Sequence, residues 1–223
     1  MTSIAIDGPA GSGKSTVAKV LAEQLGYTYI DTGAMYRACT LKILEEGIAP
    51  QQEEDVVAAV RDLDIRLVGP PGQQKVFLGD REVTGAIRTP DVSRLVSRVS
   101  SHPRLRALLV DKQREMASRS NVIMDGRDIG STVLQDARYK FFLTATLEER
   151  ARRRMQELAG MGHKTTLADL MEDIAQRDRE DSTREASPLR RADDAVLIDT
   201  TDLDVNGVVA KIRSILNKSE RSC

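Results

Sequence analysis

The sequence predicts a doubly wound α/β fold with a parallel sheet, and three observations carry that expectation. Ile4-Ala5-Ile6 is a short apolar run that ends in Asp7-Gly8, passes through a glycine-rich turn, and gives way to Val17, Ala18, Leu21 and Leu25 at helical spacing. The same order of buried strand, turn and amphipathic helix returns several times along the chain. With 223 residues against roughly 150 for a working domain, the chain holds one core with room for insertions.

After the first helix, closed by Gly26, Tyr27 to Ile30 reads as a second buried strand. Asp31-Thr32-Gly33 then opens a helix to about Glu46, with Thr32 placed to cap it. Further strands are expected at Val122 to Met124, Lys140 to Leu143 and Ala195 to Ile198, each followed by Asp, Gly or Thr and then helical periodicity. The last helix runs from about Val205 to Asn217. Two stretches break this rhythm. Residues 62–88 hold three short strands with tight turns at Gly69-Pro70-Pro71-Gly72 and Gly79-Asp80, an antiparallel meander inserted into the α/β frame. Residues 156–190 combine Gly160-Met161-Gly162, a polar helix from about Leu167 and a dense run of opposite charges. That composition predicts a surface excursion outside the core, mobile enough to act as a lid.

Lys and Arg number 33 against 34 Asp and Glu, a formal charge of −1, which excludes a general polyanion binder. The seven aromatics, four Tyr and three Phe without Trp, are too few for a stacking platform on single-stranded nucleic acid. Of the 33 basic residues 24 are Arg, the side chain suited to bidentate phosphate or carboxylate recognition; a bias of the source explains the count equally well until positions are considered. Cys39 and Cys223 suggest neither a disulfide framework nor a zinc site, and His102 and His163 have no Cys or His neighbours at ligand spacing. No signal-peptide pattern and no apolar run near ~20 residues is present, so a cytoplasmic protein without membrane or nucleic-acid partners is expected.

The chemistry lies in Gly8-Pro9-Ala10-Gly11-Ser12-Gly13-Lys14-Ser15, followed by Thr16, which satisfies G-x-x-x-x-G-K-[ST] in the strand–loop–helix context that the motif requires. Its backbone N–H groups converge on a phosphate chain, Lys14 reaches the outer phosphates, and the Ser15 hydroxyl ligates Mg²⁺ at a helix N-terminus. A nucleoside triphosphate, ATP in the first instance, is the expected ligand. A GTPase would need a late base-specificity motif, and the only Asn-Lys pair, Asn217-Lys218, is followed by Ser-Glu. A small phosphotransferase remains, and it needs a second anion site. Arg37 lies in the second helix, and Asp125-Gly126-Arg127-Asp128 follows a strand at the sheet edge where open α/β folds bind ligands. Arg177, Asp181 and Arg184 share a face of the polar helix, where an Arg177–Asp181 salt bridge is the plainer alternative. Arg150, Arg153 and Arg154 share a face of a helix begun by the capping box Thr146-Leu147-Glu148-Glu149; their mutual repulsion would be relieved by a bound phosphate.

At these residues the chain resembles the bacterial-type cytidylate kinases, the CMP/dCMP branch of the nucleoside monophosphate kinases. The resemblance spans I-D-G-P-A-G-S-G-K-S-T at 6–16, D-T-G-A-M-Y-R at 31–37, the meander with I-R-T at 87–89, D-G-R-D at 125–128, E-E-R-A-R-R-R at 148–154 and R-D-R-E-D-S-T-R at 177–184. It implies a P-loop core over about 1–47, 101–155 and 188–223, a monophosphate-binding insertion over about 48–100 (a small antiparallel sheet plus helices) and a short lid over about 156–187. By the same resemblance Ser97, Arg106 and Asp128 would read the cytosine, Arg177 and Asp181 would hold the ribose, and Arg37, Arg127 and Arg184 would hold the monophosphate. Thr32 stands where some members carry Ser. Lys14, Arg127, Arg153 and Arg184 are the candidates for charge compensation during transfer, with Mg²⁺ as cofactor, small nucleotides as the partners and a monomer as the expected state. Two other classes stay open: a kinase for another small molecule, which would differ only in its acceptor pocket, and a regulatory module that binds ATP without turnover.

Overall fold

The computed structural model describes residues 1–160, 162 and 164–220. Met161, His163 and Cys223 lie outside the described residues, and so do the expectations placed on them.

Five parallel strands form the main sheet, in the order β2 (Thr28–Asp31), β6 (Val122–Gly126), β1 (Ser3–Asp7), β7 (Tyr139–Thr144) and β8 (Val196–Asp199). Parallel pairing on both sides of β1 aligns Asp7 with Gly126 and with Phe142, so the strand ends share one edge. Side-chain alternation then loads both faces. Ile4 and Ile6 join Ile123, Phe141 and Ile198 beneath α1 (Lys14–Leu25) and α8 (Val205–Glu220). Ala5, Ile30, Val122 and Met124 face the other way, toward Val110 of α5 (Pro103–Ala117) and a π-helical turn over Ile129–Val133.

The expected meander is present as β3 (Ile65–Val68), β4 (Lys75–Leu78) and the two-residue β5 (Arg81–Glu82), antiparallel in that order. It packs with α2 (Thr32–Glu45), α3 (Glu53–Val60) and α4 (Pro90–Val99) through Ala34, Val76, Leu78, Ile87 and Val92 on one side and Met35, Val56, Val57 and Val96 on the other.

Two expectations are corrected. Asp31, rather than Thr32, caps α2: its carboxylate accepts the Ala34 N–H at 2.8 Å, because a side chain one residue ahead of the helix reaches the free N–H groups that a residue inside it cannot. The polar 156–190 stretch also contributes core. α6 (Leu147–Gly160) and α7 (Leu167–Thr183) bury Ala151, Leu170 and Ile174 against each other, flanked by Leu167 and Met171. Leu167, Leu170, Met171 and Ile174 are spaced at i, i+3, i+4 and i+7, an apolar stripe outnumbered by the charges around it. Among the described residues no helix is long and apolar enough to cross a membrane.

Candidate active site

The donor loop leaves β1 at Gly8, whose φ of +148° is open to glycine alone. A Cβ there would lie 2.0 Å from the Leu143 carbonyl oxygen, so the loop sits directly against β7. Gly11 and Gly13 also have positive φ, and the loop curls over the N-terminus of α1. Lys14 is buried and turns back into the loop, donating from Nζ to the Pro9 carbonyl at 2.6 Å and to Ser12 Oγ at 3.3 Å. Burial, and then the Arg127 charge, hold its pKa well below the ordinary lysine value. Ser15 Oγ donates to Asp125 Oδ2 at 2.7 Å, and Tyr29 OH donates to Asp125 Oδ1 at 2.8 Å. Burial, followed by the neighbouring Asp31, raises Asp125 to about 6.

Across the crevice, β6 carries Arg127 and Asp128 out of the sheet. Asp128 is buried and pairs with Arg106 of α5, while Arg184 Nη2 lies 3.5 Å from its other oxygen. Arg106 stands 5.1 Å over the Tyr36 ring. Burial opposes its charge, but Tyr36 and Asp128 outweigh that and keep its pKa high. Ser97 of α4 is buried with its hydroxyl unpartnered within the protein. Two of the base-reading residues expected from sequence, Arg106 and Asp128, are thus paired, and Tyr36, which the sequence reading passed over, lies under the Arg106 guanidinium. Its place beside Arg37 in D-T-G-A-M-Y-R was the available signal.

The phosphate side is crowded with arginines. Arg127 Nε donates to Asp181 Oδ2 at 2.8 Å, and Arg184 approaches Asp181 Oδ1 at 3.9 Å from an extended residue just past α7. Among the described residues Arg177 does not form the plain salt bridge to Asp181, and its buried Nε has no hydrogen-bond partner. Burial, and then Arg127, lower Arg177 to about 10; burial, and then Arg177 and Arg154, lower Arg37 to about 9. Arg37 is parked on Ser93 Oγ at 2.8 Å and the Ile87 carbonyl at 3.3 Å. Thr32 is committed to the Asp125 carbonyl at 2.7 Å, bracing β6.

The α6 arginines are not a free cationic face. Arg150 is buried on Asp178 and the carbonyls of Ala10 and Ala145. Arg153 gives its donors to Glu149 and Thr200 and lies against the donor loop, its Nη1 3.8 Å from where a Cβ on Gly13 would stand. Arg154 pairs with Glu157. Each guanidinium has found an acid or a carbonyl, so the repulsion expected between them is already compensated. Asp178, overlooked in the sequence, takes the Ala10 N–H at 3.3 Å and ties α7 to the donor loop.

A phosphate-binding loop of the G-x-x-x-x-G-K-[ST] type beside a cluster of buried arginines and carboxylates defines a phosphotransferase of the P-loop class. A family model for cytidylate kinase matches residues 4–218, and the chain belongs to that family, among the nucleoside monophosphate kinases. It is 53% identical over 218 residues to a cytidylate kinase of Caldanaerobacter subterraneus subsp. tengcongensis, covering 98% of this chain and 96% of the relative. A Bacillus cereus cytidylate kinase is 50% identical over 215 residues, with 96% of each chain covered. Among solved structures, an uncharacterized protein from Eubacterium ventriosum shares the fold at a TM-score of 0.53 and 13% identity, over 97% of this chain and 98% of that one.

Proposed function

We propose that the chain phosphorylates CMP and dCMP to CDP and dCDP, with ATP as donor, by direct in-line transfer. The observation that carries the reading is that, among the described residues, five buried polar atoms of the candidate acceptor-side groups have no hydrogen-bond partner: Tyr36 OH, Ser97 Oγ, Arg106 Nε, Arg177 Nε and Arg184 Nη2, the last with only an ion-pair approach to Asp128 at 3.5 Å. Buried polar groups are normally satisfied, and we read these as the groups that a bound nucleotide would satisfy. Cytosine offers an N4 amino donor beside N3 and O2 acceptors. Asp128 accepts from N4, and Arg106 and Ser97 donate to the acceptors. Arg177 and Asp181 hold the ribose, and Arg37, Arg127 and Arg184 take the monophosphate.

An acceptor phosphate is largely dianionic at pH 7, with a second pKa near ~6, so no general base is required. The chain's task is to bring two repelling anions into line, offset their charge with Lys14 and the arginines, and exclude water through α7. Mg²⁺ fits the residues present, since the Ser15 hydroxyl and Asp125 carboxylate are hard oxygen donors of the kind it takes beside substrate phosphates and water. Among the described residues no cluster of three or more His, Cys, Asp or Glu side chains is built to hold a metal alone. When bound, Mg²⁺ neutralises phosphate charge. We propose a monomer in a reducing cytoplasmic setting, the latter in keeping with the buried, free Cys39 thiol.

ADP release measured against CMP, dCMP, UMP, AMP and shikimate tests the acceptor class. Uracil presents an acceptor O4 and a donor N3–H, and each mismatch costs roughly 1 to 3 kcal/mol, about tenfold to more than a hundredfold in kcat/KM. Asp128→Asn is expected to narrow the CMP-over-UMP ratio, because an amide donates to O4. An unchanged ratio in a uniformly slower enzyme would move Asp128 from base reading to scaffold.

A further inference from the structure

Asp7 ends β1 and immediately precedes the donor loop, yet its carboxylate turns away from that loop. Oδ1 accepts the Ile129 N–H and Oδ2 accepts the Gly130 N–H, both at 2.8 Å, with the side chain buried. These two amides open the π-helical turn that follows Asp128, and helix-start N–H groups have no partner of their own. The fit is close. A Cβ at Gly130 would lie 3.1 Å from Lys140 Cδ and 3.4 Å from Asp7 Oδ2, and a Cβ at Gly126 would lie 2.6 Å from Ile129 Cδ1.

Between these fixed points lie Arg127 and Asp128. Gly126 on one side is in register with Asp7 across the sheet, and Ile129 and Gly130 on the other are held by the same residue's carboxylate. Asp128 itself has an irregular backbone (φ −145°, ψ 27°), and its carbonyl accepts from Thr132 and Val133. One side chain therefore bridges the strand that launches the donor loop and the segment that presents two acceptor-side groups.

We propose that Asp7 is a positioning residue that fixes the Arg127–Asp128 segment relative to the donor loop, and so governs acceptor affinity and choice without touching the acceptor. The acceptor-choice part rests on the reading of Asp128 given above. Substitution should therefore fall on CMP while sparing ATP, an asymmetry that a general loss of folding stability does not produce.

The test compares wild type, Asp7→Asn, Asp7→Ala and Asp128→Asn. Measurements are the CMP Kd by calorimetry without ATP, kcat/KM for CMP and UMP, the KM for ATP, and Tm. Asn keeps one acceptor but turns an NH₂ toward the second amide, so CMP Kd is expected to rise about tenfold and further in Ala. The CMP-over-UMP ratio should narrow in the same order, with the KM for ATP within about twofold of wild type. Wild-type CMP affinity in Asp7→Asn with only a lower Tm, or an ATP KM that rises as much as the CMP Kd, overturns the proposal. If Asp7→Ala does not fold, Asp7→Asn decides. An unchanged ratio in Asp128→Asn alone removes the base-reading role, and the CMP affinity of the Asp7 variants still decides the positioning.

Discussion

Lys14 shows how one residue serves two states. Its ammonium donates to the Pro9 carbonyl in a buried position where burial, and then Arg127, depress its basicity; a phosphate chain would offer it a stronger partner. Lys14→Ala is expected to lower kcat by several orders of magnitude by removing a charge that follows the moving phosphoryl group. A variant keeping a tenth of wild-type turnover would contradict that role. Asp181 permits a pH argument. Burial alone would raise its pKa, but Arg127 and Arg177 override burial and hold it below the ordinary 3.8. A depressed carboxylate stabilises the fold above its unfolded pKa and loses that contribution as pH falls through the folded value. Wild type should therefore lose stability below about pH 3.8 through this group. Asp181→Asn should lack that component and be less stable at pH 7 by about 3–5 kcal/mol, as read from denaturant melts across pH. The G-x-x-x-x-G-K-[ST] loop was legible from motif spacing, and the approach of Arg184 to Asp181 from their shared helix face. The distant partners of Arg150 and Arg153 were not, because Asp178 and Thr200 reach them only through the fold, whereas Glu149 and Glu157 lie one helical turn from Arg153 and Arg154.

Among the elements, α7 carries the test of closure. Its apolar contact with α6 is small, and its other ties are polar: Asp178 to the Ala10 N–H and Arg150, and Asp181 to Arg127. Each nucleotide brings negative charge to the arginines that α7 shares with the sheet. Limited proteolysis near residues 160–162 is expected to slow most with ATP analogue and CMP together; protection by the pair no better than by neither would show that the segment is not a lid. The apolar stripe of α7 was present in the sequence but masked by its charge density. The π-helical turn after Asp128 had no sequence signal, since its first amides depend on Asp7, more than a hundred positions away in the chain.

For the whole molecule, the alternation of strand and helix revealed the parallel sheet, but the order β2-β6-β1-β7-β8 depends on crossovers that periodicity does not encode. The assembled protein concentrates guanidinium charge that burial and mutual repulsion disfavour at Arg37, Arg177 and Arg184. An anion bound only by the folded state relieves it and stabilises by mass action, about 2.7 kcal/mol at a hundredfold excess over Kd. For a chain of this size that corresponds to a Tm rise of about 5–11 °C. CMP should produce it in thermal melts, and cytidine at equal concentration should produce far less; equal shifts would show that the arginines do not read the phosphate. The backing of Gly8 against the Leu143 carbonyl has a mechanical consequence. The donor side is the fixed jaw of a vice, with no clearance behind it even for a methyl group. The stroke that squeezes water from between the two nucleotides must therefore come from the opposite jaw, and compliance there, rather than in the ATP loop, sets how far the molecule can close.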